Sequence, residues 1–353
     1  MPGGKICTYL SGGFSPAPTY TSNSGAVQNS NPVVLDSGGN ANIWFGASTY
    51  RVVFQEPGDS NCPGTGSTIW TQDGIADFGQ LLKNGLAAST GSTLVGFEQL
   101  GSSTLRTVQA KLEETISVKD FGATGNGTTD DTAAIQAALN AATAGQRIYC
   151  PQGVYKISAE IVLPSYVNFF GVRTDLQSGQ AADGGCTLKW AGSAPATAYA
   201  HGSAMVEAYG VYGTRLSGIN LDGNSTTNLT GYMVDADPGL TNASQRNSFR
   251  DALVQNFGTP ASNLAGAGVV CGSGTGSDQA DGNEFVGIYM YEVYEGFRIQ
   301  SRNCDYSRYT SFAIAAVNSA MHITAGGYAE WTNWSAGTML GANPHVIWID
   351  GQY

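Results

Sequence analysis

Apolar residues along this chain come in short bursts divided by Gly, Pro, Ser and Asn, and the spacing of those bursts changes three times. Early on, residues 6–10, 33–35, 41–45, 50–55 and 68–71 are strand-sized apolar or aromatic runs. Between them stand Gly12 and Gly13, Pro16, Pro18, Asn31 with Pro32, Gly38 with Gly39, and the 56–67 loop. The pattern predicts a small β domain over 1–75, with a core drawn from Trp44, Phe45, Tyr50, Val52, Phe54 and Trp70. A domain of that size buries little surface, so contact with a partner or with copies of itself is expected to add to its stability.

Residues 76–117 switch to helical spacing. Ile75, Phe78, Leu81 and Leu82 follow it. Leu105, Val108 and Leu112 follow it again at intervals of three and four, which predicts a helix over 104–115. A helix so short is marginal in water. Its apolar stripe needs a partner: symmetry-related copies are the simplest one, and packing on its own domain is the alternative. Further on, Ala134, Ile135, Ala138, Leu139 and Ala142 mark one face of a helix predicted over 129–143 and stopped by Gly145. Thr128 and Asp131 have the spacing of a capping box. Adjacent Asp130 and Asp131 read as helix-start residues rather than a catalytic pair, because neighbours on a helix do not share a face.

From Arg147 onward the pattern is a loose repeat of strand-sized segments. Segments 148–150, 154–157, 161–163 and 167–170 follow quickly, and 216–221, 249–257, 285–299 and 306–323 come later. Phe249, Phe285 and Tyr306 each follow a polar lead: Arg-Asn-Ser, Gly-Asn-Glu and Asn-Cys-Asp. Their intervals of 36 and 21 residues predict coils of about 20–25 residues with variable loop insertions. This is the signature of a β-solenoid, in which a coil buries its apolar face only against its neighbours. Roughly eight or nine coils at ~4.8 Å each make a column about 40 Å tall. The helix at 129–143 is expected to cover its first, otherwise open edge. The strand-like run at 348–353 leads to the expectation that the column is truncated at the C-terminus.

Composition narrows the function classes. Of 353 residues, 42% are hydrophobic and only 12% charged, which excludes a disordered chain. A formal charge of −11 argues against a nucleic-acid partner, whose counterions must be displaced by Lys and Arg. No apolar run is long enough for membrane insertion. The first 30 residues hold one Lys and lack the apolar core of a secretory signal, so synthesis and assembly in a cytosol are expected. Six scattered cysteines without a CxxC pair read as reduced, mostly buried thiols. His201, His322 and His345 lie far apart and form no metal motif, so no metal or cofactor is predicted. The Gly-rich stretch at 266–278 lacks the Lys of a phosphate-binding loop.

Two stretches resemble known families. Residues 118–171 contain Val118-Lys-Asp-Phe-Gly-Ala, Gly125-Asn-Gly-Thr-Thr-Asp-Asp-Thr-Ala-Ala-Ile, Tyr149-Cys-Pro-Gln-Gly-Val-Tyr and Ile161-Val-Leu-Pro. They resemble the pectate-lyase-like right-handed parallel β-helix, a fold shared by lyases, glycosidases, epimerases and phage tailspikes. Pro2-Gly-Gly-Lys-Ile-Cys-Thr-Tyr, Asn31-Pro-Val-Val-Leu-Asp-Ser-Gly-Gly-Asn and Ile69-Trp-Thr-Gln-Asp-Gly-Ile look like the virion-attachment module of podovirus-type tailspikes. Leu94-Val-Gly-Phe and Arg106-Thr-Val-Gln-Ala-Lys-Leu are similar to the neck that precedes a tailspike β-helix. Together these resemblances imply a mainly β bacteriophage tailspike. Its small N-terminal domain (1–75) would dock to phage tail or baseplate proteins. A helical neck (76–117) would form a homotrimer through Leu105, Val108 and Leu112. A right-handed parallel β-helix (118–353), capped by an α-helix, would bind and depolymerise bacterial surface polysaccharide.

Hydrolysis of a glycan needs two carboxylates flanking the scissile bond. The densest candidate region places Glu292 and Glu295 among Tyr289, Tyr291 and Tyr294, with Asp305 and Glu330 on following coils and Trp331 and Trp334 beside Glu330. Aromatic faces stack on sugar rings, and carboxyls grip hydroxyls or protonate a leaving oxygen. A lyase reading would instead use Arg298, Arg302 or Arg308 as base, with Asp281 and Asp305 holding Ca²⁺. Two non-tailspike-depolymerase readings remain: a non-enzymatic tail adaptor or adhesin that anchors other receptor-binding proteins, and a secreted lyase or epimerase.

Overall fold

The computed structural model describes residues 1–350 apart from 47, 59–61, 63–66, 77, 102–103, 173–184, 237–242, 259–264, 273–279, 301–303, 326–332, 336–337 and 342–344. The chain divides into two units, Met1–Lys111 and Leu112–Tyr353. In the first, Lys5–Leu10 pairs antiparallel with Thr49–Gln55, which pairs with Thr68–Ala76, and Val33–Val34 joins the other side of Lys5–Leu10. Strand alternation sends Cys7, Tyr9 and Val53 into one small core cluster and Tyr50 and Val52 into another with Ala17. Tyr50 Oη accepts from Gly46 N and donates to Pro18 O, both at 2.8 Å, which ties two loops to the sheet. Trp44 and Trp70, expected in the core, are about half exposed: Trp70 lies on the sheet's edge strand, with no neighbouring strand beyond it among the described residues.

The predicted helix at 104–115 is corrected. Leu105–Thr107 is a strand paired antiparallel with Gly96–Glu98, and only Val108–Leu112 is helical. Thr107 explains the switch, since its hydroxyl accepts from Ala110 N at 3.0 Å, as a residue just before a helix does. Leu105 and Leu112 are 72% and 66% exposed.

The second unit is a parallel β-helix of three sheets. Sheet I stacks Thr115–Ser117, Arg147–Cys150, Asn168–Gly171, Arg215–Ser217, the first parts of Ser248–Phe257 and Glu284–Ile299, Arg308–Thr310 and Asn333–Ser335. Sheet II begins with Asn126–Asp130, Gly153–Ile157 and Cys186–Trp190. Sheet III begins with Ile161–Val162, Ala204–Tyr209, Thr230–Asp235 and Ala267–Cys271. Eight rungs in sheet I give a column of roughly 34 Å.

The core follows one register. Ile148, Phe169, Leu216, Phe249, Phe285, Tyr309 and Trp334 form an inward ladder on sheet I. Phe285 stacks on Tyr309 at 4.7 Å and Tyr309 on Trp334 at 3.8 Å. Tyr309, not Tyr306, thus follows Phe285; Tyr306 stands exposed in the preceding turn at φ 53°. That turn recurs before five of these rungs. Tyr166, Gly213, Arg246, Gly282 and Tyr306 all take left-handed φ between 53° and 64°, a conformation glycine adopts without strain. The Asn of the polar lead points inward beside it. Asn247 N donates to Asn283 Oδ1 at 2.9 Å, Thr214 N to Asn247 Oδ1 at 3.1 Å, and Asn283 Nδ2 to Ser244 O at 3.2 Å. These buried amides satisfy backbone groups at the corner where the sheet ladder is interrupted.

The capping helix spans Thr132–Ala141 and buries Ile135, Ala138 and Leu139 in the β-helix core, with Ala134 and Ala142 against it. The capping box at Thr128 does not form. Asp131 turns back to accept from Thr124 N and Gly125 N, and Asp130 accepts from Thr132 N. The reduced-thiol expectation is also overturned: Cys7–Cys62, Cys150–Cys186 and Cys271–Cys304 are disulfides. Stacking brings Cys150 and Cys186, on successive rungs, to a Cα separation of 5.8 Å, a proximity their spacing of 36 residues concealed.

Candidate functional site

Outward positions on sheet I alternate with the core ladder. Arg147, Asn168, Arg215, Ser248, Glu284 and Arg308 stack in one outward column, and Tyr149, Phe170, Ser217, Arg250 and Val286 in the next. An open cavity of about 250 Å³ lies here, lined by Arg147, Asn168, Phe170, Ser217, Gly218 and Asp251. The Arg147 guanidinium sits 4.4 Å over the Phe170 ring, and Tyr149 packs on Phe170 with centroids 5.2 Å apart. Glu284 pairs with Arg250 and, at 3.7 Å, with Arg308. An aromatic face, a guanidinium, a carboxylate and an amide converging on an open groove are the chemical groups that hold a sugar ring and its hydroxyls.

The outward face of sheet III carries two charged clusters. In one, Glu295 is buried and Arg298 Nη1 donates to its Oε2 at 2.9 Å. His322 Nδ1 lies 2.8 Å from Glu295 Oε1 and its Nε2 3.0 Å from Asp350 Oδ2, while its ring stacks on Trp348. Burial and the Arg298 charge oppose protonation of His322, but its hydrogen bonds to Glu295 and Asp350 and the Glu295 charge outweigh them and raise its pKa. Arg298 also covers the Tyr199 ring at 4.0 Å. In the other cluster, His201 Nδ1 is 2.8 Å from Oε2 of the fully buried Glu207, and Glu160 lies alongside. Burial pushes both carboxyls up, and the Glu160 charge raises Glu207 further.

Of the residues singled out from sequence, Glu295 is in the first of these clusters with both carboxylate oxygens engaged. Glu292 stands exposed at a left-handed bend, φ 52°, between the two halves of its strand. Tyr289 and Tyr291 are half-buried on sheet II, and Tyr294 is half-buried next to Glu295, whose charge together with burial raises its pKa. Trp334 belongs to the core's ring stack, which takes it off the outward surface. Glu330, Trp331 and Arg302 lie outside the described residues. Asp305 is on the turn stacked over that of Asp281, where Gly282 N donates to Asp305 O at 2.8 Å. Asp281, which accepts from Gln245 Nε2 at 3.0 Å, has its pKa raised by burial and by the Asp305 charge. Sequence reading missed the Arg147–Phe170–Asp251 groove and the Glu160–His201–Glu207 group, because their members come from different rungs.

Residues 115–242 match the family of rhamnogalacturonase A/epimerase, pectate lyase-like. A 56-residue segment is 48% identical to a probable glucan endo-1,3-beta-glucosidase of Arthroderma benhamiae, covering 16% of this chain and 6% of that protein. A 44-residue segment is 59% identical to mannuronan C5-epimerase AlgE5 of Azotobacter vinelandii, 12% of this chain and 4% of that one. An 84-residue segment is 38% identical to the tail spike protein of an Escherichia phage, 24% of this chain and 10% of that one. The chain thus matches a tenth or less of the length of these relatives. Among solved structures, a tailspike of E. coli bacteriophage HK620 in complex with a hexasaccharide is similar over 73% of this chain and 52% of its own. That likeness has 13% identity and a TM-score of 0.48. Residues 115–242 thus match a pectate-lyase-like family model, and an 84-residue segment is similar to a phage tail spike protein.

Proposed function

We propose that this tailspike-like chain is a virion tail component whose β-helix binds bacterial surface polysaccharide, capsule or O-antigen. The observation that carries the reading is the open groove of Arg147, Asn168, Phe170 and Asp251 on sheet I. In it the Phe170 ring supplies an apolar wall beneath Arg147, while Arg147 and Asp251 supply a donor and an acceptor for hydroxyls. The first unit docks to tail or baseplate proteins, and copies associate as a homotrimer through Leu105, Val108 and Leu112.

Cleavage of the bound glycan is assigned to Asp281 and Asp305, on successive turns at the edge of sheet I. In this reading Asp281, part-buried beside Asp305, is the general acid and Asp305 the partner base. The hydrogen bonds to Arg298 and His322 leave Glu295 less suited to either role. A second reading, a non-enzymatic adaptor or adhesin, is favoured by the single carboxylate lining the groove, since hydrolysis needs two. Incubation with purified capsule or O-antigen separates the two. Release of oligosaccharides that Asp281→Asn abolishes without loss of binding supports cleavage. Binding without fragments leaves the adhesin, and absence of binding to any surface glycan of the host overturns both.

A further inference from the structure

Glu160, His201 and Glu207 meet on the outward face of sheet III, away from the groove of sheet I. Val162 pairs with Glu207, so Glu160 comes from the end of one rung and Glu207 from the next. His201 enters from the turn before Ala204–Tyr209, and its ring is held against Tyr209 with centroids 3.8 Å apart. One ligand atom from each of the three residues lies within 4.8 Å of the others. Glu207 is fully buried, and its Oε1, like Glu160 Oε1, has no hydrogen-bond partner. Among the described residues, His201 is the sole ion-pair partner of either carboxyl. Two adjoining carboxyls, one partly and one fully buried, share one imidazole and each keep an oxygen without a partner, and such groups are costly unless something binds them.

We propose that Glu160, His201 and Glu207 form a binding site for a divalent transition-metal ion of the Zn²⁺ class. An imidazole nitrogen with two carboxylate oxygens is a donor set suited to zinc, whereas Ca²⁺ takes six to eight oxygens. Metal–ligand bonds of about 2.0–2.2 Å set ligand atoms some 3–4 Å apart, which small side-chain rotations of this trio reach. The His201 side chain is 48% exposed, leaving an entry path and room for water in the remaining coordination position. The ion would pin the segment around His201 to two rungs, adding stability by mass action.

Calorimetric titration of the EDTA-treated full chain with Zn²⁺ alone, without glycan, tests the site. One bound Zn²⁺ per chain, a rise in melting temperature, and at least about tenfold weaker binding in His201→Ala and Glu160→Gln are expected. His201 is exposed enough that its substitution leaves folding intact, which circular dichroism verifies. Absence of Zn²⁺ binding, binding unchanged in both variants, or preference for Ca²⁺ over Zn²⁺ would each overturn the assignment.

Discussion

Asn283→Ala isolates what the inward amides contribute. In the native column Asn283 Oδ1 accepts from Asn247 N at 2.9 Å, and its Nδ2 donates to Ser244 O and Ala280 O. Alanine leaves a buried N–H with no acceptor and removes donors from two buried carbonyls. An orphaned buried donor costs about 1–3 kcal/mol, and an under-satisfied carbonyl costs less, so the loss is about 3 kcal/mol in all. Asn140→Ala is the control. Asn140 is exposed on the capping helix, where the substitution is worth about 0.5 kcal/mol or less. Urea unfolding followed by far-UV circular dichroism measures both. Hydrogen exchange adds a local reading, since the Asn247 amide should exchange roughly a hundredfold faster when its acceptor is gone. Equal stability of the two variants, or unchanged protection at Asn247, would refute the idea that this ladder carries the corners.

Four further outcomes are expected. Reduction of the disulfides removes loops closed over separations of 33 to 55 residues, each worth about 4 kcal/mol in the chain-entropy treatment; a urea midpoint unmoved by phosphine, or six alkylatable thiols in the native protein, contradicts the pairing. The folded-state pKa of His322 lies above its unfolded value, so its contribution to stability is complete below about pH 6.5 and is lost as pH rises through the folded value. His322→Gln should flatten that part of the pH–stability profile, and an unaltered slope counts against the Glu295–His322–Asp350 coupling. Phe170→Ala should weaken glycan binding about tenfold with the fold intact, read by calorimetry. Glutamate at both Leu105 and Leu112 should shift the full chain from trimer to monomer mass in light scattering; an unchanged mass argues against these leucines as the association surface.

The column was legible because its repeat leaves two marks that survive loop insertion, an Asn in the polar lead and a large apolar residue two positions later. Asn247 with Phe249 and Asn283 with Phe285 carried both. At the next rung Ser307 takes the place of the Asn, and the repeat was placed on Tyr306 instead of Tyr309. The capping helix was equally clear, since Ile135, Ala138 and Leu139 repeat at helical spacing in an Ala-rich run. Leu105, Val108 and Leu112 have the same spacing, yet three residues of that run found a strand partner at 96–98, an interaction that periodicity does not register. Cysteine pairs and the two outward sites were hidden for a common reason: their members are joined across rungs, and loop lengths between rungs vary too much to align them by counting.

Alternation along each rung of sheet I divides labour between two parities of one strand. Phe169, Leu216 and Phe249 face the core, while Phe170, Ser217 and Arg250 face outward. The outward surface can therefore change at every second residue without touching the scaffold. Under the proposed glycan reading, a lineage confronting a changed host coat would accumulate substitutions on one parity and stay silent on the other.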